Sequence, residues 1–309
     1  MKRKPIYVEL PIQSDINTLW EITQNPNLHE QWDLRFSSIT YLPRESEEQP
    51  QEFSYKTKIG FGFCIEGWGK SIGKVHTKDR TSVSSLQFGT DQNLSIIKEG
   101  GGYWEYKPQE NATLFLTKYN YKTRFGWLGK YFDFLIFRPL ISWATAISFD
   151  VLKRWVETGD SPSSQYFRLF SSWLFIYFFS FVWIYHGLTS KLIHQHPAEL
   201  SMMQMTFSIK ANEASVLVIV TGMVEVIIGL LWLGYKNRGL LYRIQIVIFL
   251  IFAIVSSLTV PSQLFHPFNP ITFNMALLVI SIVGLTIYKN IPTAKNCKRK
   301  QEGVKNVHL

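Results

Sequence analysis

The feature that most limits what this chain can become is the near absence of charge in four long stretches of its second half. Residues 167–188 carry one formal charge, Arg168 at the very start, and residues 214–235 carry one, Glu225. Residues 244–260 and 271–288 carry none. The four runs are 22, 22, 17 and 18 residues long. An α-helix needs about 20 residues to cross the hydrocarbon core, with a usable range of roughly 17–25. Buried core helices seldom go uncharged for so long, and four in succession predict four membrane spans.

Charge is also unevenly divided. The formal net charge is +9, and almost all of it lies beyond residue 160: 12 Lys and Arg stand there against 4 Asp and Glu. A basic chain can signal nucleic acid, but that needs a basic stripe on a folded surface. Here the cations sit between apolar runs, so no nucleic-acid partner is expected and the lipid bilayer is. Near the span ends, 12 Lys and Arg fall on one side, from Lys153 and Arg154 to the cluster 289–305. Only Lys191 and Lys210 fall on the other. Positive residues favour the cytoplasmic side. The expected location is therefore a bacterial-type plasma membrane, multi-pass, with both termini cytoplasmic. Met1-Lys2-Arg3-Lys4 is followed by Pro5 and no long apolar run, which does not read as a signal peptide. Cys64 and Cys297 lie far apart with no C-x-x-C, which excludes a disulfide scaffold and a cysteine-ligated cluster.

The first 160 residues are of another kind. Hydrophobic residues are 46% of the whole chain and charged ones 18%, yet this half is close to neutral. A short strand at 6–10 precedes a helix whose apolar face is Ile16, Leu19 and Trp20, and a second short helix covers 28–32. Strand-like stretches follow at 38–42, 53–59, 63–68, 71–76, 82–88, 95–98, 103–106 and 113–121, several alternating as Phe53, Tyr55, Thr57 and Ile59 do. Gly100-Gly101-Gly102 reads as a hairpin turn, and a long helix runs over 126–157, interrupted at Pro139.

This order of elements resembles the SRPBCC superfamily, the START, polyketide-cyclase and birch-pollen-allergen group. The opening carries the local likeness: a strand at 6–10, Pro11, Leu19-Trp20, Asn25-Pro26, His29 and Trp32-Asp33. The resemblance covers about residues 4–158. It implies an α+β helix-grip fold, a curved antiparallel sheet around a long C-terminal helix, with a hydrophobic cavity between them. Trp127, Tyr131, Phe134 and Trp143 on that helix are the expected lining. The alternatives are that these rings simply fill the interior, or that part of 125–149 lies on the membrane surface. Lys130, Asp133 and Arg138 argue against a span there.

The second half resembles the DoxX-like family of four-helix membrane proteins over about 166–290. The likeness rests on Trp183 to Leu188 with Lys191 and His196-Pro197-Ala198-Glu199. It continues in Gly222-Met223-Val224-Glu225 with Gly229, and in Pro261, Pro267 to Thr272 and Asn274. The expected organisation is a cytosolic domain at 1–160, an all-α four-helix transmembrane bundle at 161–290, and a basic cytoplasmic tail at 291–309.

Few motifs carry chemistry. Cys64 to Ser71 imitates the end of a phosphate-binding loop, but Cys64 stands where Gly is needed and no helix follows. There is no G-x-S-x-G elbow, and no catalytic residue is assigned. Glu66, Glu105 and Asp133 are acid or base candidates only by type. His194 and His196, beside Glu199, are weak candidates for a metal that is not expected. His29 and His76 have no evident partner. Glu225, eleven residues into its span, predicts an intramembrane polar site whose partners are sought among His186, Asn274, Tyr185 and Gln245, with Lys191 in reach only if the first span runs longer. Thr221, Gly222 and Gly229 on its face allow close helix approach. Three functions fit: binding or presenting an apolar small molecule, of lipid or quinone type, at the membrane; a cyclase-like or redox-coupled enzyme; or a scaffold for a membrane protein partner. No cofactor motif is evident.

Overall fold

The computed structural model describes residues 4–46, 49–60, 62–77, 80–259, 265 and 269–301. His266, Pro261, Pro267, Phe268 and the tail beyond residue 301 lie outside them. The chain divides into two compact units, Met1–Gln165 with Pro292–Leu309, and Tyr166–Ile291.

The first unit is a helix-grip. It runs β1 (Ile6–Ile12), α1 (Ile16–Gln24), α2 (Pro26–Trp32), β2 (Ser38–Tyr41), β3 (Glu52–Gly60), β4 (Phe63–His76), β5 (Ser82–Gly89), β6 (Ile97–Pro108) and β7 (Thr113–Thr123). A long helix follows, from α3 (Gly126–Phe132) to α4 (Arg138–Thr158). The strands form one antiparallel sheet in the order β1-β7-β6-β5-β4-β3-β2. Asp15 caps α1 by accepting from the Thr18 amide at 2.9 Å, and Pro26 opens α2 where a missing N–H costs nothing. Trp32 is fully buried among Trp104, Phe115 and Phe149, and the Phe115 and Phe149 rings stack at 4.5 Å. That cluster fastens the long helix to the sheet.

Three sequence expectations change. The pieces 63–68 and 71–76 are one strand, kinked where the register shifts between Ser71 and Gly73. The glycines at 100–102 make no turn: they lie inside β6, paired with β5 and β7. A Cβ at Gly100 would fall 2.7 Å from the Phe88 ring, so glycine here makes room for an aromatic ring above the strand. Pro139 does not interrupt the helix. A π-helical turn over Asp133–Phe137 precedes it, with the Arg138 N–H bonded to the Asp133 carbonyl, and this register shift absorbs the proline.

The chain also returns to this unit. Lys298 exchanges two backbone hydrogen bonds of 3.0 Å with Glu9 on the outer strand β1. The Asp150 carboxylate on α4 accepts from the Thr293 amide at 2.8 Å and Asn296 Nδ2 at 2.6 Å. Residues 292–301 thus belong structurally to a domain that begins about 290 positions earlier.

The second unit is helical. α5 (Pro162–Tyr185) continues through a π-helical stretch, His186–Ile193, and is followed by α6 (Pro197–Phe207), α7 (Ala211–Gly234), α8 (Arg238–Thr259) and α9 (Pro270–Ile287). Pro162–Ile193, Ala211–Gly234, Arg238–Thr259 and Pro270–Asn296 are each long and apolar enough to cross a membrane. Gly126–Thr158 meets the same criterion but packs on the sheet of the first unit, as its buried Thr145 and Ser148 attest. Glycine sets the helix spacing: a Cβ on Gly222 would stand 2.9 Å from the Gly187 carbonyl oxygen, and one on Gly229 2.9 Å from that of Ser180. One side chain joins all four spans. Gln245 Oε1 accepts from Trp183 Nε1 at 3.3 Å and Trp232 Nε1 at 3.1 Å, while its Nε2 donates to Ser281 Oγ at 2.6 Å.

Candidate functional sites

Each unit contains a cavity. In the first, a space of about 370 Å³ lies between sheet and long helix. Its walls are mainly apolar: Phe53, Ile65, Phe88 and Trp104 from the sheet, Leu140, Ile141 and Ala144 from the helix. Ile59, Leu94 and Leu140 line it and are also well exposed, so its rim is apolar.

A buried ionic cluster meets this cavity. Arg35 donates to Asp33 through Nε at 2.9 Å and Nη2 at 2.6 Å, and His29 lies 3.1 Å from the same carboxylate. Ser148 on α4 adds a contact at 3.4 Å. The Asp33 side chain has no exposure, whereas His29 and Arg35 reach the cavity wall. Burial by itself would raise the Asp33 carboxyl. The Arg35 guanidinium and the hydrogen bonds from Arg35 and His29 outweigh it and hold the group well below the usual carboxylate range. Arg35 stacks 5.4 Å from the Tyr119 ring. In the sequence His29 has no evident partner; the structure gives it Asp33. Asp33 is four residues on, the spacing that places two side chains on one helical face, and that spacing is the local signal of the pair.

The helix residues expected at the cavity do not line it. Trp127, Tyr131 and Phe134 are 75%, 63% and 61% exposed, and Trp143 is half-buried outside the cavity's lining. The reason is Asp133. It accepts from Tyr121 OH at 2.6 Å and Arg138 Nε at 3.1 Å, so the acid turns inward and the neighbouring rings turn out. None of Glu66, Glu105 and Asp133 lines either cavity. Glu66 is paired with Lys56 at the surface and Glu105 with Lys107.

The second cavity, about 440 Å³, lies within the membrane unit. Glu225, His186 and Asn274 all line it. The direct partner of Glu225, however, is Lys191, at 3.2 Å. The first membrane helix does run past residue 188, and its π-helical end carries Lys191 beneath Gly222. Lys191 also bonds Glu199 at 3.0 Å. His186 packs against the Phe273 ring at 5.2 Å. Gln245 lies apart in its own network, and Tyr185 is half exposed. His194 and His196 are exposed, and the His196 ring caps α6 by accepting from the Ala198 amide. Among the described residues no group of three His, Cys, Asp or Glu is placed to hold a metal. Cys64 and Cys297 are both free thiols; burial pushes the Cys297 thiol up to about 12.

Comparison with known proteins adds the following. Residues 180–282 match the model of the DoxX-like family. The membrane protein YndG of Bacillus subtilis (strain 168) is 38% identical over 305 residues, 98% of this chain and 100% of that protein. Among solved structures, the Zhui aromatase/cyclase from Streptomyces sp. R1128 aligns at 10% identity and TM-score 0.38, over 51% of this chain and 98% of that one. A STAR-related lipid transfer protein from Xanthomonas axonopodis aligns at 12% and 0.36, over 48% of this chain and 84% of that one.

Proposed function

This chain belongs to the same family as the Bacillus subtilis membrane protein YndG and carries a DoxX-like membrane unit, and from that premise we propose that its first unit binds an apolar ligand of lipid or quinone type and presents it at the bilayer. The carrying observation is the apolar cavity of about 370 Å³ with one ionic cluster at its wall. Apolar area leaving water supplies roughly 25 cal/mol per Å² toward binding. Arg35 and His29 offer donors to an oxygen-bearing end of the ligand, and the rim of Ile59, Leu94 and Leu140 suits passage to a hydrocarbon phase. The exposed Trp127, Leu128, Tyr131, Phe134 and Leu135 carry the side-chain chemistry of an interfacial helix, and we place that face on the bilayer.

The test uses the full chain in mild detergent. A retained apolar molecule is expected in native mass spectrometry. Ala144→Trp, which puts an indole into the cavity, should remove it and abolish displacement of a bound apolar fluorophore. A folded protein with no such ligand and no fluorophore binding would end this reading.

We also propose that both termini and the first unit face the cytoplasm, on the strength of the 12-to-2 excess of Lys and Arg. Alkaline phosphatase fused after Pro267 should be active, and after Arg238 silent. The reverse pattern would invert the topology.

A further inference from the structure

The second cavity has a polar wall of another kind from the first, one with acids whose oxygens are left open. Lys191 and Glu225 are both over nine-tenths buried, and Glu199 completes a chain in which one ammonium serves two carboxylates. With both acids ionised the cluster is one positive charge short. Its hydrogen bonding is also incomplete. Glu225 Oε2, Glu199 Oε2 and Thr206 Oγ1 are buried and, among the described residues, have no hydrogen-bond partner. All three residues line the one cavity. Two of these atoms can only accept, and the hydroxyl can. A buried acceptor left empty is costly, so three together describe a missing donor.

The rest of the wall gives the size and character of that donor. Trp183, Phe249, Phe252, Phe273 and Leu277 surround the acids with aromatic and aliphatic surface. A space of about 440 Å³ far exceeds a bare metal ion, and Lys191 already stands within 3.2 Å of both carboxylates. A proton on one acid would settle the charge but fill no space.

We propose that this cavity is a binding site for an organic ammonium: a primary or secondary amine, protonated, on an apolar or aromatic body. The N–H groups satisfy the free oxygens of Glu225 and Glu199 and the Thr206 hydroxyl, the positive charge supplies what the cluster lacks, and the aromatic walls attract the cation as well as its apolar part. This site is separate from the cavity of the first unit and stands independently of its function.

Two isosteric probes decide the matter: 2-phenylethylamine, charged at pH 7, and 2-phenylethanol, neutral. Calorimetry on the purified full chain should give at least tenfold tighter binding of the amine. Glu225→Gln and Glu199→Gln should each weaken the amine tenfold or more and leave the alcohol nearly unchanged. Lys70→Ala, at the exposed surface of the first unit, should leave amine binding as it was. If Glu225→Gln fails to fold, Glu199→Gln, whose side chain is partly exposed, carries the test. Equal binding of both probes, binding of neither, or amine binding indifferent to both Gln variants would each overturn the assignment.

Discussion

Two buried polar places in the membrane unit are treated in opposite ways. Around Gln245 every strong group is answered: two indole N–H donors share one amide oxygen, and the amide nitrogen finds Ser281. Around Glu225 three acceptors are left open beside a cavity. Where no water competes, a closed network fixes neighbouring helices, and an open one invites a ligand. The first unit repeats the closed pattern at Asp33, which is held by Arg35, His29 and Ser148.

The largest effect should come from opening a closed site. Asp33→Ala leaves the Arg35 charge buried without its partner, which should cost about 3–5 kcal/mol and be read as a lowered thermal midpoint. The pH dependence follows from the depressed carboxyl. Its contribution is present above the unfolded value near 3.9 and is lost as pH falls through the lower folded value. The gap in midpoint between wild type and Asp33→Asn should therefore narrow on going from pH 7 to pH 3; a constant gap would mean the charge is not what matters.

Next comes Gln245→Leu. It strands two indole donors in the bundle, for a loss of about 2–4 kcal/mol, visible as dissociation or melting in detergent at lower temperature. A smaller loss, about 1.5 kcal/mol, is expected for Asn296→Leu, which removes one hydrogen bond to the Asp150 carboxylate. The readout is the melting of the full chain followed by near-UV dichroism. An unchanged midpoint would show that the returning segment adds nothing to the first unit.

Least affected should be Glu225→Gln. It keeps a hydrogen-bonding group beside Lys191, and the wild-type site is already incomplete, so stability should change by less than about 1 kcal/mol. A loss matching that of Gln245→Leu would erase the distinction between the two places.

Both unit types were legible in the sequence, because uncharged runs of span length and alternation of apolar residues are local properties. So was Glu225, an acid where acids are expensive, and so was the helix crowding announced by Gly222 and Gly229. The misreadings have a common source. The glycines at 100–102 look like a turn until the Phe88 ring is laid over Gly100 and Tyr119 is paired against Gly102. The aromatic residues of 127–143 look like a lining until Asp133 is seen to face Tyr121.

By itself, then, the sequence determined that this chain has a folded α+β domain and four spans, and that a polar residue would need company in the membrane. Tertiary structure alone decided which company. Lys191 reaches Glu225 because the first span extends through a π-helical end, and because two glycines, Gly187 and Gly222, let the helices approach. It also decided that residues 292–301 join the first unit, since Asp150 meets Thr293 and Asn296 across some 143 intervening positions. Local pattern sets what each segment is. Charge pairing and close packing between distant segments set what each side chain faces, and no periodicity in a single chain records that.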